Sequence, residues 1–226
     1  MNAFLLAAGK GLRLRPYTEN TPKCLIKVKK KPLLDYWLNE LDKIKISKIF
    51  INTHYKSEMV HSFIRKHKSF NKIKILNEKK LLGTAGSLFQ NIKVFKEDNM
   101  IMIHADNYSK FNILNLINAH NSRPKQCLMT MMIFNSPNPK TCGIVEIDKN
   151  KIVKSFVEKP KKPLSNLANC AVYVLSKKFF KEFKQNENLY DFSHDILPKL
   201  IGKIFTFKIN ESYFDVGHIK TYNLIK

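Results

Sequence analysis

Residues 4–23 read FLLAAGKGLRLRPYTENTPK, an order of residue types suited to holding an anion. An apolar run ends in Ala7-Ala8-Gly9-Lys10-Gly11, and Arg13, Arg15 and Lys23 follow at short intervals. Glycines there let backbone N–H groups approach a ligand closely, and the cations downstream would neutralise phosphate charge. A bare G-x-G is usually only a turn. Here it stands in G-x-G-x-R-L-x-P behind an N-terminal strand, with Pro22-Lys23 soon after Pro16, and that combination suits a triphosphate.

Two carboxylates further along could add a cation. Asp106 follows the apolar run Met100–His104, and Asp215 stands in Phe214-Asp215-Val216-Gly217. One strand-end aspartate is more often a cap or a turn former. A pair can hold Mg²⁺, which keeps several waters and takes its other ligands from phosphate. Glu158-Lys159-Pro160 offers a carboxylate able to accept two hydroxyl hydrogen bonds beside a mobile point charge for an oxyanion. His54, His104 and His120 are not spaced like a zinc site and read as surface or strand-end histidines. Asp191-Phe192-Ser193-His194-Asp195 reads as a capped helix entry.

The opening motif, Leu82-Gly83-Thr84-Ala85-Gly86 and Glu158-Lys159-Pro160, in that order, resemble the signature of the sugar-1-phosphate nucleotidylyltransferases. The resemblance covers nearly the whole chain. It implies transfer of a nucleotidyl group from an NTP to a sugar 1-phosphate with release of pyrophosphate, with Mg²⁺ on Asp106 and Asp215. It assigns catalytic roles to Arg13, Lys23 and Lys159. Leu6, Ala8, Gly9, Gly11, Gly83, Thr84 and Ala105 would meet the nucleotide. Gly143, Glu158, Lys159, Asn169 and Tyr173 would meet the sugar phosphate. Ala105 departs from the family, which usually has glycine before the first aspartate.

Glu78, five residues before Gly83, stands where many uridylyl- and thymidylyltransferase relatives have glutamine. Guanine offers two adjacent donors that suit one carboxylate, whereas uracil presents a donor between two acceptors, which suits an amide. Glu78 therefore points to GTP, and L-G-T-A-G resembles the mannose-1-phosphate guanylyltransferases. Mannose, glucosamine and a heptose stay open as the sugar. The alternatives are a UTP-using uridylyltransferase, a phosphocholine-type cytidylyltransferase, which Ala105-Asp106-Asn107-Tyr108 resembles, and a glycosyltransferase. The last would normally bind its metal through Asp-x-Asp, and the opening loop would go unexplained.

The elements that must position these residues alternate between strand-like and helix-like. Ala3–Ala7, Lys48–Asn52, Lys72–Leu76, Met100–His104, Leu128–Phe134, Cys170–Leu175 and Ile204–Lys208 read as strands, with a hairpin over 143–157. Leu34, Trp37, Leu38 and Leu41 recur at helical spacing, and helices are expected over 58–67, 113–121 and 177–184. The reading is an α/β fold: one domain over residues 1–226, a three-layer α/β/α sandwich with a Rossmann-like, mixed and mostly parallel sheet. Ligands of such sheets bind beyond the carboxyl ends of the strands, where Gly9, Glu78 and Asp106 all fall.

Composition sets the remaining bounds. The formal charge of +22 invites a basic nucleic-acid-binding protein as the non-enzymatic alternative. Only Arg13, Arg15, Arg65 and Arg123 are arginines, however, and the lysines are spread along the chain, which reads as a solvated coat with no specific nucleic-acid partner. Small-molecule substrates are the expected partners, with homo-oligomerisation left open. The four cysteines lack C-x-x-C spacing, the N-terminus carries no basic leader, and no apolar run would span a bilayer. The expectation is a cytoplasmic protein with free thiols and no membrane partner.

Overall fold

The computed structural model describes residues 1–95, 98–183 and 188–226. The strands are β1 (Asn2–Leu6), β2 (Lys27–Val28), β3 (Lys31–Pro32), β4 (Ile49–Thr53), β5 (Ile73–Asn77), β6 (Met100–His104) and β7 (Asn107–Ser109). There follow β8 (Met129–Asn135), β9 (Gly143–Ile147), β10 (Val153–Glu158), β11 (Leu167–Leu175), β12 (Ile204–Lys208) and β13 (Tyr213–Asp215). The helices are α1 (Leu33–Leu41), α2 (Ser57–Arg65), α3 (Gly83–Gln90), α4 (Ile92–Phe95), α5 (Ile113–Asn121) and α6 (Ile219–Asn223). No helix among the described residues is long and apolar enough to cross a membrane. The α/β class expected from the sequence, a mixed sheet with flanking helices, is what the chain forms.

The chain packs as two compact units. The first comprises Met1–Leu81, Met102–Ile113 and Ser212–Lys226. In it β1, β4 and β5 run parallel in order, and β6 flanks β1. Ala3–Leu6 and all of β4 are buried, because strands covered on both faces carry continuous apolar runs rather than alternation. The register is strict: Leu6 lies opposite Asn52, and Asn52 opposite Leu76. Strands that start level also end level, so the segments after them emerge along one edge. Leu33, Leu34, Trp37, Leu38 and Leu41 form the buried face of α1. Trp37 belongs to the core, its Nε1 donating to the Asn107 carbonyl at 3.0 Å.

A separate two-stranded ribbon completes this unit. β13 pairs antiparallel with β7, and Asp215 stands opposite Asn107. Behind the ribbon, Tyr108, Val216, Tyr222 and Ile225 pack with Leu14, Ile26, Val28 and Leu33. This small apolar cluster anchors the last residues beside the opening loop.

The second unit comprises Leu82–Ile101 and Leu114–Glu211. β9 and β10 form the expected hairpin, β11 pairs antiparallel with β9 and β8, and β12 pairs parallel with β8. The expected helix over 177–184 is instead a short 3₁₀ turn, Phe179–Lys181; Lys184 lies outside the described residues. Buried Phe179 meets Phe180 edge-to-face and Phe183 at a tilt there, and that packing rather than helical repetition shapes the segment.

Candidate active site

In the first unit the loop after β1 runs from Ala7 into a 3₁₀ turn at Leu12–Leu14. Its two glycines do different work. Gly11 has φ +63°, and a Cβ there would meet the Thr18 methyl at 2.8 Å. The Thr18 hydroxyl donates to the Gly11 carbonyl at 2.7 Å, so this glycine shapes the loop. A Cβ on Gly9 would meet nothing within 4 Å, and the residue is exposed. Gly9 faces open space, as a ligand-facing glycine must. The side chains of Leu6, Ala8 and Ala105 are buried, so only their backbone could meet a nucleotide. The Ala105 N–H already donates to the Leu6 carbonyl at 3.0 Å.

Lys23 is 9% exposed, and its ammonium donates to Asp106 Oδ2 at 2.7 Å while lying 3.8 Å from Asp215 Oδ1. The two aspartates meet because β7 pairs with β13 immediately after Asp106. Burial works to raise the Asp106 pKa, but the Lys23 charge and hydrogen bond, with His104 nearby, outweigh it and hold the carboxyl below its ordinary value. Arg13 reaches the same place. Its Nη1 lies 3.0 Å from His218 Nε2, and a Cβ on Gly217 would sit 3.4 Å from Arg13 Nη2 and 3.1 Å from the Asp215 carboxylate. Lys23, Asp106, Asp215 and Arg13 are thus brought together. His218 joins them unforeseen.

Glu78, immediately after β5, is 9% exposed. Its Oε1 accepts from Asn52 Nδ2 at 2.8 Å, and its N–H donates to the Thr53 carbonyl at 2.8 Å. It is no solvent-facing glutamate. The sequence reading missed Asn52; its signal was a polar residue directly after the apolar run 49–51 of a buried strand.

In the second unit Gly83 opens α3 at φ +75°, and a Cβ there would collide with the Tyr190 carbonyl. Thr84 Oγ1 accepts from the Phe192 N–H at 2.7 Å. Both residues therefore dock α3 on segment 190–192, a packing role the motif did not reveal. Asp191 caps the next turn, accepting from the Ser193 and His194 N–H groups at 2.9 and 3.0 Å.

The hairpin sets Gly143 directly opposite Glu158. A Cβ on Gly143 would meet Glu158 Oε2 at 2.7 Å and the Phe156 ring at 2.8 Å. Lys159 follows at φ +48°, with its N–H on the Cys142 carbonyl at 3.0 Å and its exposed ammonium 3.4 Å from Glu158 Oε1. Asn169 donates to the Tyr173 hydroxyl at 2.6 Å and accepts the Ala171 N–H at 2.9 Å across a bulge in β11. Tyr173 is fully buried, and burial pushes its hydroxyl pKa up. It can serve a ligand only through Asn169.

A family model described as nucleotidyl transferase matches residues 2–225. The chain belongs to that family. The resemblance carried by the glycine loop, L-G-T-A-G and E-K-P thus holds at the level of the family. The "Putative mannose-1-phosphate guanyltransferase" of Sulfolobus acidocaldarius is 32% identical over 226 residues, covering 98% of this chain and 61% of that protein. The "Bifunctional protein GlmU" of Methanocaldococcus jannaschii is 29% identical over 222 residues, covering 96% and 51%. The chain spans only about half to three-fifths of the length of these relatives. The crystal structure of HddC from Yersinia pseudotuberculosis complexed with GMP-PN shares the fold, with a TM-score of 0.81, 24% identity, and coverage of 99% and 97%.

Proposed function

We propose that this protein is a sugar-1-phosphate nucleotidylyltransferase that uses GTP and a hexose or heptose 1-phosphate, with mannose 1-phosphate the first candidate. The observation that carries the reading is the meeting of Lys23, Asp106 and Asp215 beside a glycine loop that opens to solvent at Gly9. An oxygen of the acceptor phosphate attacks the α-phosphorus in line, the bond to the β-phosphate breaks, and pyrophosphate leaves. The nucleophile is already an anion, so no residue need deprotonate it. The protein's tasks are to position two mutually repelling anions and to stabilise charge spreading over the α-phosphate. Arg13 and Lys23 neutralise the triphosphate, and Lys159 holds the acceptor phosphate. Glu158 accepts from sugar hydroxyls, and Gly143, whose missing side chain leaves the space that Glu158 and Phe156 fill, serves the sugar by letting that carboxylate lie against the hairpin.

The donor set suits Mg²⁺. Among the described residues no group of three or more His, Cys, Asp or Glu could hold a metal, but two carboxylates converge on one ammonium. An ion that keeps waters and draws on substrate phosphates needs no more. Asp106 and Asp215 would hold it, and it would supply Lewis-acid polarisation of phosphate oxygens.

GTP rather than UTP rests on Glu78, whose carboxylate is acceptor-only when ionised. The 32% identity to the Sulfolobus protein supports the guanylyl reading. The test is pyrophosphate release with each of four NTPs against a panel of sugar 1-phosphates. Turnover with GTP and mannose 1-phosphate is expected. Preference for UTP would remove the guanine reading while sparing the reaction class, and no release with any pair would remove both.

A further inference from the structure

β4 is buried throughout, yet it ends in the polar residues Asn52 and Thr53. Asn52 is 3% exposed, and both ends of its amide are engaged. Oδ1 accepts the Ala7 N–H at 2.6 Å, and Nδ2 donates to Glu78 Oε1 at 2.8 Å. One side chain therefore joins the start of the glycine loop to the carboxylate after β5.

An isolated asparagine amide could face either way. Here the choice is made for it. A backbone N–H only donates, so the atom facing Ala7 must be the oxygen. The nitrogen then faces residue 78, whose near atom must be an acceptor. A carboxylate meets that demand with either oxygen and offers further acceptor capacity elsewhere. A glutamine would meet it only with its carbonyl, turning its NH₂ away from Asn52. We infer that Asn52, oriented by the Ala7 N–H, fixes the hydrogen-bonding polarity that residue 78 presents, and so is a specificity-determining positioning residue for the nucleobase. The inference rests on the proposal that Glu78 meets the base. It adds that acceptor or donor character is a property of the pair 52 and 78, not of residue 78 alone.

Reversing the pair tests it. Glu78→Gln keeps the bond from Asn52 and turns an acceptor into a donor on the side away from it. Asn52→Asp still offers oxygen to Ala7 but now asks residue 78 for a donor. In the double variant the amide at 78 must turn over, giving NH₂ to the new carboxylate and presenting its carbonyl on the other side. Acceptor character then returns without a glutamate.

Two readouts are needed in the wild type, both single variants and the double variant. One is the ratio of kcat/KM for GTP over UTP with the same sugar 1-phosphate. The other is the melting temperature at about pH 8, where adjacent carboxylates repel. Glu78→Gln should lower the ratio by about tenfold or more, as losing a matched polar contact does. The double variant should return to within about threefold of the wild type, as expected when two residues in contact are non-additive. Asn52→Asp alone should melt lower, and adding Glu78→Gln should restore the melting temperature. Additive melting shifts would overturn the inference. So would a double variant whose ratio stays at that of Glu78→Gln. If Glu78→Gln alone leaves the ratio unmoved, Glu78 does not read the base and the specificity role falls with it. Recovery of melting in that case would separate this failure from an Asn52 that never gripped residue 78.

Discussion

In the first unit, Lys23 stands within reach of Asp106 and Asp215, and Arg13 lies against Gly217 and His218. In the second, Gly143 and Glu158 face each other across a hairpin, while Lys159 and Ala171 are fixed at φ +48° and +51°. The first assembly is held by charges whose partners can change when an anion arrives. The second is held by backbone conformation and by amides already satisfied inside the unit, such as Asn169 on Tyr173 and Ala171. On the proposed function a multiply charged nucleotide needs neutralisation, which the cations of the first unit would provide. Telling one sugar from another needs shape, which strained backbone and close contacts provide. The two units should therefore answer differently to loss of charge and to loss of space.

Removing charge gives the largest expected effect. Asp106→Asn deletes the ionised partner of Lys23 and one of the two carboxylates proposed to hold Mg²⁺. We expect kcat/KM to fall by about 10³-fold or more, the scale at which a preorganised charge stabilises a transition state. The partly exposed carboxylate is not needed for packing, so the melting temperature should move little. Full activity of this variant with Mg²⁺ would break the assignment of charge chemistry to the first unit.

Acid separates the units next. His120, in the second unit, is not the surface or strand-end histidine the sequence suggested: it lies in α5, wholly buried, with Nδ1 on Thr130 Oγ1 at 3.0 Å. Burial, helped by Arg123, pulls its pKa from 6.5 down to about 3. Unfolded chains bind a proton there below pH 6.5 and the folded protein does not, so stability falls as pH drops from 6.5 toward 3. The slope should approach about 1.4 kcal/mol per pH unit. Asp106 behaves in the opposite region. Its folded pKa lies below the ordinary 3.8, so its ion pair with Lys23 is intact above that value and is lost only as pH falls through the depressed one. Denaturant melts between pH 6.5 and pH 4 should therefore show a loss that His120→Gln flattens and Asp106→Asn leaves in place. An unchanged slope in His120→Gln would remove the buried histidine from the account.

What the sequence showed and what it hid divide along similar lines. The loop from Gly9 to Lys23, the strand-end Asp106, and Glu78 after β5 were legible because each depends on local order: an apolar run, then the residues that follow it. That Asp215 approaches Asp106 was an expectation from resemblance alone. Its physical cause, a three-residue ribbon pairing 107–109 with 213–215, leaves no periodic mark in so short a stretch. That Gly83 and Thr84 also dock α3 was hidden because their partner, segment 190–192, is about a hundred residues away. Asn52 was hidden for the same reason. A polar residue at a strand end becomes informative only when register places it between Ala7 and Glu78.

Removing space should affect the second unit more than removing charge does. Gly143→Ala places a methyl 2.8 Å from the Phe156 ring and 2.7 Å from Glu158 Oε2. The carboxylate can swing away, but Phe156 is buried and cannot. Overpacking of this kind costs about 1–3 kcal/mol, and the displaced Glu158 should raise KM for the sugar 1-phosphate about tenfold. KM for the nucleotide should stay the same. A matching rise in both would mean that backbone and charge are not divided between the two substrates, and the comparison would lose its basis.

The smallest effect comes from two alanines in one loop. Gly11→Ala forces a side chain into φ +63° and against Thr18, and should cost about 1–2 kcal/mol of stability by thermal melting. Gly9→Ala meets no atom within 4 Å and no left-handed backbone, so the melting temperature should be unchanged or slightly raised. Its methyl would instead project where a phosphate is proposed to lie, and KM for the nucleotide should rise several-fold while KM for the sugar 1-phosphate holds. The pair distinguishes a glycine kept for the chain's own path from one kept for a ligand. Should Gly9→Ala bind nucleotide as well as the wild type, the open face of this loop would not be where the triphosphate is received, and charge at Lys23 and Arg13 would have to account for binding unaided.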